Sequence, residues 1–509
     1  MGVQMYEYGV DYLAFLSIPY AKPPVDALRF KNPEASEPWL GDLNATVLPH
    51  NCVQFILAGR EDCLYLNVYT PLNALNASSP LPVLVWIHGG GYYMGGSSDN
   101  HNFEPLLQRD VIVVMIQYRL GVLGFMSTED DAAPGNLGLK DQTLAMQWVY
   151  DNIAAFGGDT SRITIFGASA GAASVHYQLV APSAAGLFSG AVMISGNAFG
   201  PWASGRDFLW AAQEIAINFG CPTSPSDDLI TCLQGVNEHE LDAMYLHFAQ
   251  WNLQPFYFAP RVDGVYIPEE PATLMKEGRY SHVPTLMGIN RDEMALESVE
   301  WYAVPGLLEN LAANFTVLGP ITLELYNDED PVNTATAVYD YYNGGTNFSK
   351  ENCDNLTKML SDGFFAIRHD WLAELMVEQD SVYLYELHHR GEHGYTNIYL
   401  ENGLDLPQAA NYISHSDQSQ YLFNPKFSEL QTPEDRAVGN IFVDTWTNFA
   451  KTGNPTSDGS LGFTWEVSSA PDLRHLKIIP NPLMEGDSRS SERVFWNSLP
   501  LRINNLLKP

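Results

Sequence analysis

The stretch that most constrains this chain is Arg162-Ile163-Thr164-Ile165-Phe166-Gly167-Ala168-Ser169-Ala170-Gly171-Ala172-Ala173-Ser174. Ile163 to Phe166 is a β-branched, apolar run that reads as a buried strand. Small residues follow, and the pattern turns helical. At the junction sits Gly167-x-Ser169-x-Gly171. A strand that turns sharply into a helix brings backbone close to backbone, and glycine two residues to either side of the serine leaves room for that turn. The serine is then exposed over a helix N-terminus. Its oxygen is free to attack, and the nearby N–H groups are placed to hold negative charge. A glycine-rich turn with an incidental serine is the bland reading. The strand-then-helix context argues against it and for a nucleophile.

A second run, Pro82-Val83-Leu84-Val85-Trp86-Ile87, ends in His88-Gly89-Gly90-Gly91-Tyr92. The run reads as another buried strand. Successive glycines let consecutive N–H groups aim at one point, which is what an oxyanion hole requires, and this HGGG type of loop accompanies the glycine-flanked serine. Further strands are predicted over Glu61–Tyr69, Val111–Gln117, Gly190–Ile194, Val283–Ile289 and Ser381–Leu387. Helices are predicted over Gln142–Ile153 and Phe208–Phe219, with a late helix ending near Trp446–Ala450 before Lys451-Thr452-Gly453-Asn454-Pro455. Glu300 to Phe365 reads as helical and irregular, an excursion from the sheet. Ser195-Gly196 closes one strand, and Ser195 reads equally as a supporting hydroxyl or a turn serine.

Composition narrows the partners. The formal charge is −34 and the pI near 4.5, which argues against nucleic acid and anionic membrane. No run of about 18 apolar residues occurs, so no membrane span is expected. The chain is 46% hydrophobic and 17% charged, enough to bury a sizeable core. Met1 to Tyr12 shows no basic start or apolar core, so any secretory leader is already removed or lies outside this start. The five cysteines fall into two close pairs, Cys52 with Cys63 and Cys221 with Cys232, plus Cys353. Each pair closes a loop of about a dozen residues and, if bridged, contributes about 3 kcal/mol in a chain-entropy account. No C-x-x-C appears, so zinc is not expected. N-x-S/T sequons stand at Asn44, Asn76, Asn314, Asn347 and Asn355. Paired cysteines and sequons together favour a secreted protein.

Taken together these blocks resemble the type-B carboxylesterase (cholinesterase-like) family of α/β-hydrolases. The resemblance runs from Tyr12 to about Phe495 and includes Ile18-Pro19-Tyr20-Ala21, Glu61 to Asn67, His88 to Tyr92, the serine turn, Asn290 to Glu293, and Trp446 to Pro455. It implies an α/β-hydrolase fold, a large mixed, mostly parallel sheet flanked by helices, in a single domain over 1–509. It matches Ser169 to the nucleophile, Glu293 to the acid and His415 to the base, in the chain order serine, acid, histidine. Gly90, Gly91 and Ala170 match the oxyanion donors. The acid block here is Gly288-Ile289-Asn290-Arg291-Asp292-Glu293-Met294. Its usual last glycine is missing, which leaves Asp292 as an alternative acid. Among 13 histidines, His393, between Gly391 and Gly394, is the other candidate base. Ala168 stands where the family most often has glutamate. The resemblance also implies a buried ion pair between Arg29 and Glu61.

The reading is a serine carboxylic-ester hydrolase acting on small-molecule neutral esters, with no metal or organic cofactor required. The acid and histidine blocks also suit a juvenile-hormone-esterase-like enzyme, although that branch typically has glutamine where Ala168 stands. A third class, neuroligin-type adhesion proteins, usually loses a triad member and carries a membrane span; this sequence keeps the triad and shows no span. Cholinesterases hold a quaternary ammonium over a tryptophan in the first cysteine loop. Here that loop, Val53 to Asp62, has no tryptophan, carries Arg60, and offers Phe55 as its aromatic residue.

Overall fold

A computed structural model of the chain describes residues 1–509 apart from 8, 55–57, 77–78, 98–102, 327, 424–429, 431 and 509. The described strands form one 11-stranded sheet. They are β1 (Val3–Glu7), β2 (Val10–Pro19), β3 (Tyr65–Pro71), β4 (Leu81–Ile87), β5 (Ile112–Ile116), β6 (Gly158–Ala168), β7 (Gly190–Ile194), β8 (Thr285–Asn290), β9 (Val382–Leu387), β10 (His475–Ile478) and β11 (Leu483–Glu485). The spatial order is β1-β2-β3-β5-β4-β6-β7-β8-β9-β10-β11. From β5 to β10 every neighbouring pair is parallel, and the pairs at both ends are antiparallel. The sheet is therefore mixed and mostly parallel, with helices on both faces, as the resemblance implies.

The period-2 alternation of strand side chains explains why these strands read as continuous apolar runs. In β4, Val83, Val85 and Ile87 enter the core on one face, while Leu84 and Trp86 enter the core on the other. In β6, Ile163 and Ile165 face one way and Phe166 the other. A strand covered on both sides has no polar face to show. Four strands were not foreseen. β2 alternates buried and less buried positions from Val10 onward, which is the mark of a half-covered strand near a sheet end. β10 and β11 are only four and three residues long, too short for a periodic signal.

Cys52–Cys63 and Cys221–Cys232 are bridged, and Cys353 is a free, buried thiol. The 300–365 excursion is a set of short helices ending in a π-helical turn, Asp362–Ala366.

One buried acid gives a pH prediction. The helix Glu238–Ala243, capped by the Asn237 side chain, lays Asp242 against Gly121. Neither Asp242 oxygen has a hydrogen-bond partner, and burial pushes its carboxyl up to about 7. The folded state thus holds a proton that the unfolded state releases near pH 4. Stability from this group is complete below about pH 4 and declines as pH rises toward 7, by at most about 1.4 kcal/mol per unit. Asp242→Asn is expected to remove that slope, raising Tm at pH 8 and changing little at pH 4. Parallel Tm-against-pH curves for the two proteins would refute the assignment.

Candidate active site

β6 runs into the helix Ala170–Val180 through Ser169, which adopts φ 58° and ψ −124°. This positive-φ conformation lies outside the usual allowed regions, and non-glycine residues hold it only when their surroundings enforce it. The flanking glycines show what enforces it. A Cβ on Gly171 would lie 2.1 Å from the Ile87 carbonyl oxygen, and one on Gly167 would lie 2.5 Å from Gly171 backbone. No side chain fits either place. The Ser169 N–H donates to the Ile194 carbonyl of β7 (2.8 Å), which fixes the turn to the neighbouring strand.

The glycine loop after β4 lies beside this turn. A Cβ on Gly89 would meet Ser169 Cβ at 3.2 Å and the Ala168 carbonyl oxygen at 2.6 Å. Gly90 and Gly91 have φ 104° and 58°. Among the described residues the N–H groups of Gly90, Gly91 and Ala170 make no hydrogen bond. Three unused donors thus cluster by the serine, at a site that is only partly covered. His88 stacks on Tyr118, with ring centroids 4.2 Å apart, and Tyr118 donates its hydroxyl proton to the His88 carbonyl. The loop is anchored from below.

Acid and base meet at the same edge of the sheet, where β8 ends. His415 Nδ1 lies 2.6 Å from Glu293 Oε2, and the His415 N–H donates to the Glu293 carbonyl (2.8 Å). The other carboxylate oxygen, Oε1, accepts the Asn290 N–H at 2.7 Å. Glu293 is fully buried, while His415 keeps about a fifth of its side chain exposed. A buried carboxylate with both oxygens bonded holds one imidazole orientation, and Nε2 makes no hydrogen bond among the described residues.

Asp292 serves elsewhere. Its carboxylate pairs with Arg291 and accepts the Ile413 N–H, so it orders the approach to the histidine loop. The missing glycine has a physical reason as well: Met294 has φ −93°, which any residue adopts, and its N–H donates to Ser361 Oγ. His393 sits on the loop after β9, and the buried carboxylate reaches His415. Asp417 accepts the N–H groups of Ser414 and Tyr395 and so closes the turn that carries His415. Burial pushes its carboxyl up to about 7. Ser195 is buried at φ 54° and donates its N–H to the Gly288 carbonyl, tying β7 to β8.

Two contributors escape a sequence reading. Asn290 donates its amide to the Ser414 carbonyl and to Gln418 Oε1 across more than a hundred residues. Phe365, on the π-helical turn, lies 4.7 Å from the His415 ring, and Trp202 lies 5.6 Å from Phe365. No local pattern marks either; only tertiary proximity does.

Comparison with known proteins agrees with this geometry. The carboxylesterase family model matches residues 2–496. A carboxylic ester hydrolase of Bombus ignitus is 33% identical over 524 residues, covering 98% of this chain and 92% of that protein. Esterase FE4 of Myzus persicae is 34% identical over 520 residues, covering 98% and 91%. A juvenile hormone esterase of Tribolium castaneum is 34% identical over 484 residues, covering 89% and 82%. With a glycine-flanked serine, a glycine loop and a histidine–glutamate pair on one edge of a mostly parallel sheet, this chain belongs to the carboxylesterase family and is a carboxylic-ester hydrolase.

Proposed function

We propose that the chain hydrolyses neutral carboxylic esters through an acyl-enzyme formed on Ser169. Ser169 Oγ attacks the ester carbonyl, His415 takes its proton and returns it to the leaving alcohol, and Glu293 stabilises the imidazolium. The N–H groups of Gly90, Gly91 and Ala170 hold the oxyanion, each worth about 3–4 kcal/mol by analogy with a removed side-chain donor. Water then repeats the sequence on the acyl-enzyme. The observation that carries the reading is the bond between His415 Nδ1 and buried Glu293, at the sheet edge where β6 also ends before Ser169. Stoichiometric labelling of Ser169 by paraoxon, with parallel loss of p-nitrophenyl acetate hydrolysis, tests it. Labelling at another serine would overturn it.

The same reading covers a single domain over 1–509 and export from the cell. Two disulfides support export, as do the exposed sequon residues Asn44, Asn314, Asn347 and Asn355. Asn76 belongs to the same set; its side chain lies outside the described residues. No helix of the described residues is long and apolar enough to cross a membrane. A juvenile-hormone-esterase-like role is the alternative within the same chemistry, favoured by the Tribolium relative.

The alcohol side is expected to be neutral. The loop between Cys52 and Cys63 carries no tryptophan, and Arg60 is exposed there. Phe55, its aromatic residue, lies outside the described residues. We expect kcat/KM for butyrylthiocholine to fall below that for a neutral thioester of equal acyl length. A tenfold choline preference that survives high salt, which screens long-range attraction, would overturn this. It would point instead to Tyr93, next to the glycine loop, whose hydroxyl is pushed up to about 12 by burial and by the nearby Glu297 and Glu300 carboxylates.

A further inference from the structure

A cavity of about 360 Å³ opens beside the helix Ala170–Val180, within the size range of small-molecule sites. Tyr177, from the helix that Ser169 opens, and Phe199, from the loop after β7, form one wall. Phe208, Leu325, Leu501 and Leu506 supply much of the apolar lining. Two ionisable side chains of this cavity are buried without the direct ion pair that buried charges ordinarily have.

The first is Arg368, 4% exposed. Its only hydrogen bond among the described residues runs from Nε to the Gly363 carbonyl (3.0 Å), and it forms no ion pair. Trp371 and Trp496 lie 4.6 and 5.5 Å from its guanidinium carbon, so indole rings take the faces of the group. The in-plane donors on both Nη atoms remain unused. Burial lowers its pKa to about 10, which leaves it cationic at neutral pH. The second is Glu324, 5% exposed, whose carboxylate forms no ion pair among the described residues and has only the weakly placed Phe256 N–H near it. Its backbone is strained at φ 55°, a cost that persists where surroundings or function impose it. Burial raises its carboxyl well above the usual range, against the opposing influence of the Phe256 N–H and Arg206. That favours the protonated form, which is a donor. The remaining acids of the polar wall are largely engaged. Glu270 pairs with Arg502, and Asp328, whose charge acts on Arg368 without a hydrogen bond to it, accepts the Arg502 N–H.

We propose that this cavity binds the carboxylate of an amphipathic acid, with Arg368 receiving the carboxylate and the apolar walls receiving the chain. The planar fork of a guanidinium matches a carboxylate in two parallel hydrogen bonds. The choice of acid rests on the ester-hydrolase reading, since ester hydrolysis releases molecules of this class. Arg368 also bonds the backbone of the π-helical turn that holds Phe365 against His415, so an occupant would touch the support of the histidine.

Calorimetric titration of the full chain, first labelled with paraoxon to close the ester site, tests the proposal with sodium octanoate and 1-octanol as probes. Failure of the label to attach counts against the ester-hydrolase reading alone, and the titration then runs on unlabelled protein. Octanoate is expected to bind one site at least tenfold tighter than octanol, and Arg368→Gln is expected to reduce octanoate to the octanol level. Glu324→Gln, which keeps a donor, should retain octanoate binding within about threefold. Equal affinities for octanoate and octanol in the unaltered chain, or no octanoate binding, would overturn the proposal whether or not Arg368→Gln folds. So would an Arg368→Gln protein that folds and binds octanoate as before.

Discussion

Replacing Ser169 with alanine is expected to lower kcat by roughly 10⁴ to 10⁶, or about 5–8 kcal/mol of barrier. His415→Ala should fall in the same range, and the double variant should fall no further. Nucleophile and base act on one proton, so removing either removes the step. Glu293→Gln is expected to lose about 10⁴ by analogy with an uncharged amide in a serine-protease triad. The reason is visible here: Oε1 accepts the Asn290 N–H and Oε2 faces His415 Nδ1. An amide group offers one acceptor where two are needed, and it cannot stabilise an imidazolium. Asp292→Asn should stay within about tenfold of the parent, since its carboxylate serves Arg291 and the Ile413 N–H. Steady-state kinetics with p-nitrophenyl acetate on the set decides the matter. A His415→Ala enzyme keeping more than a tenth of its activity would remove the base, and Asp292→Asn falling below Glu293→Gln would exchange the acids.

Much of this site is legible because its parts are local. The serine turn is written within five residues, and the steric reason for both glycines is a contact with Ile87 or with each other. The glycine loop follows its strand directly. The sheet interior is equally legible, because strands covered on both faces must be apolar throughout. What the residues alone left open was pairing over distance. Glu293 and His415 are 122 residues apart, and nothing in either segment names the other; family resemblance supplied that match. The same holds for Asn290 with Gln418, for Phe365 against His415, and for Arg368 in its cavity. Short end strands escaped for a different reason. β10 and β11 take their conformation from pairing with β9 and each other, and their own few residues carry little pattern.

The second large effect is on stability and concerns Arg29. Its Nε and Nη2 meet Glu61 Oε1 and Oε2 at 2.6 and 2.5 Å, a two-point pairing with 7% and 10% of the side chains exposed. Nη1 donates to the carbonyls of Leu233, Gln234 and Val236. Those carbonyls lie at the end of the helix Ser226–Leu233, where the last turn lacks intrahelical donors and favours a cation. Glu61 lies inside the Cys52–Cys63 loop, and the helix carries Cys232. Arg29 therefore joins the two disulfide loops. Arg29→Ala strands a buried carboxylate and the Gln234 and Val236 carbonyls at once, since the Leu233 carbonyl also accepts the Val236 N–H, at about 3–5 kcal/mol. For a chain this long that is a fall of about 3–5 °C in Tm, given the usual unfolding entropy per residue. Arg29→Lys keeps the charge but not the fork, and should recover only part of the loss. The informative variant replaces both partners, Arg29→Met with Glu61→Leu. Breaking a buried pair is costly mainly because one charge is left alone, whereas removing both ions removes that cost. The double variant should therefore melt closer to the parent than Arg29→Ala does, with kcat unchanged where the protein is folded. An unaltered Tm in Arg29→Ala would show that solvent already screens the pair. A double variant melting below the single one would show that the guanidinium acts chiefly through the three carbonyls.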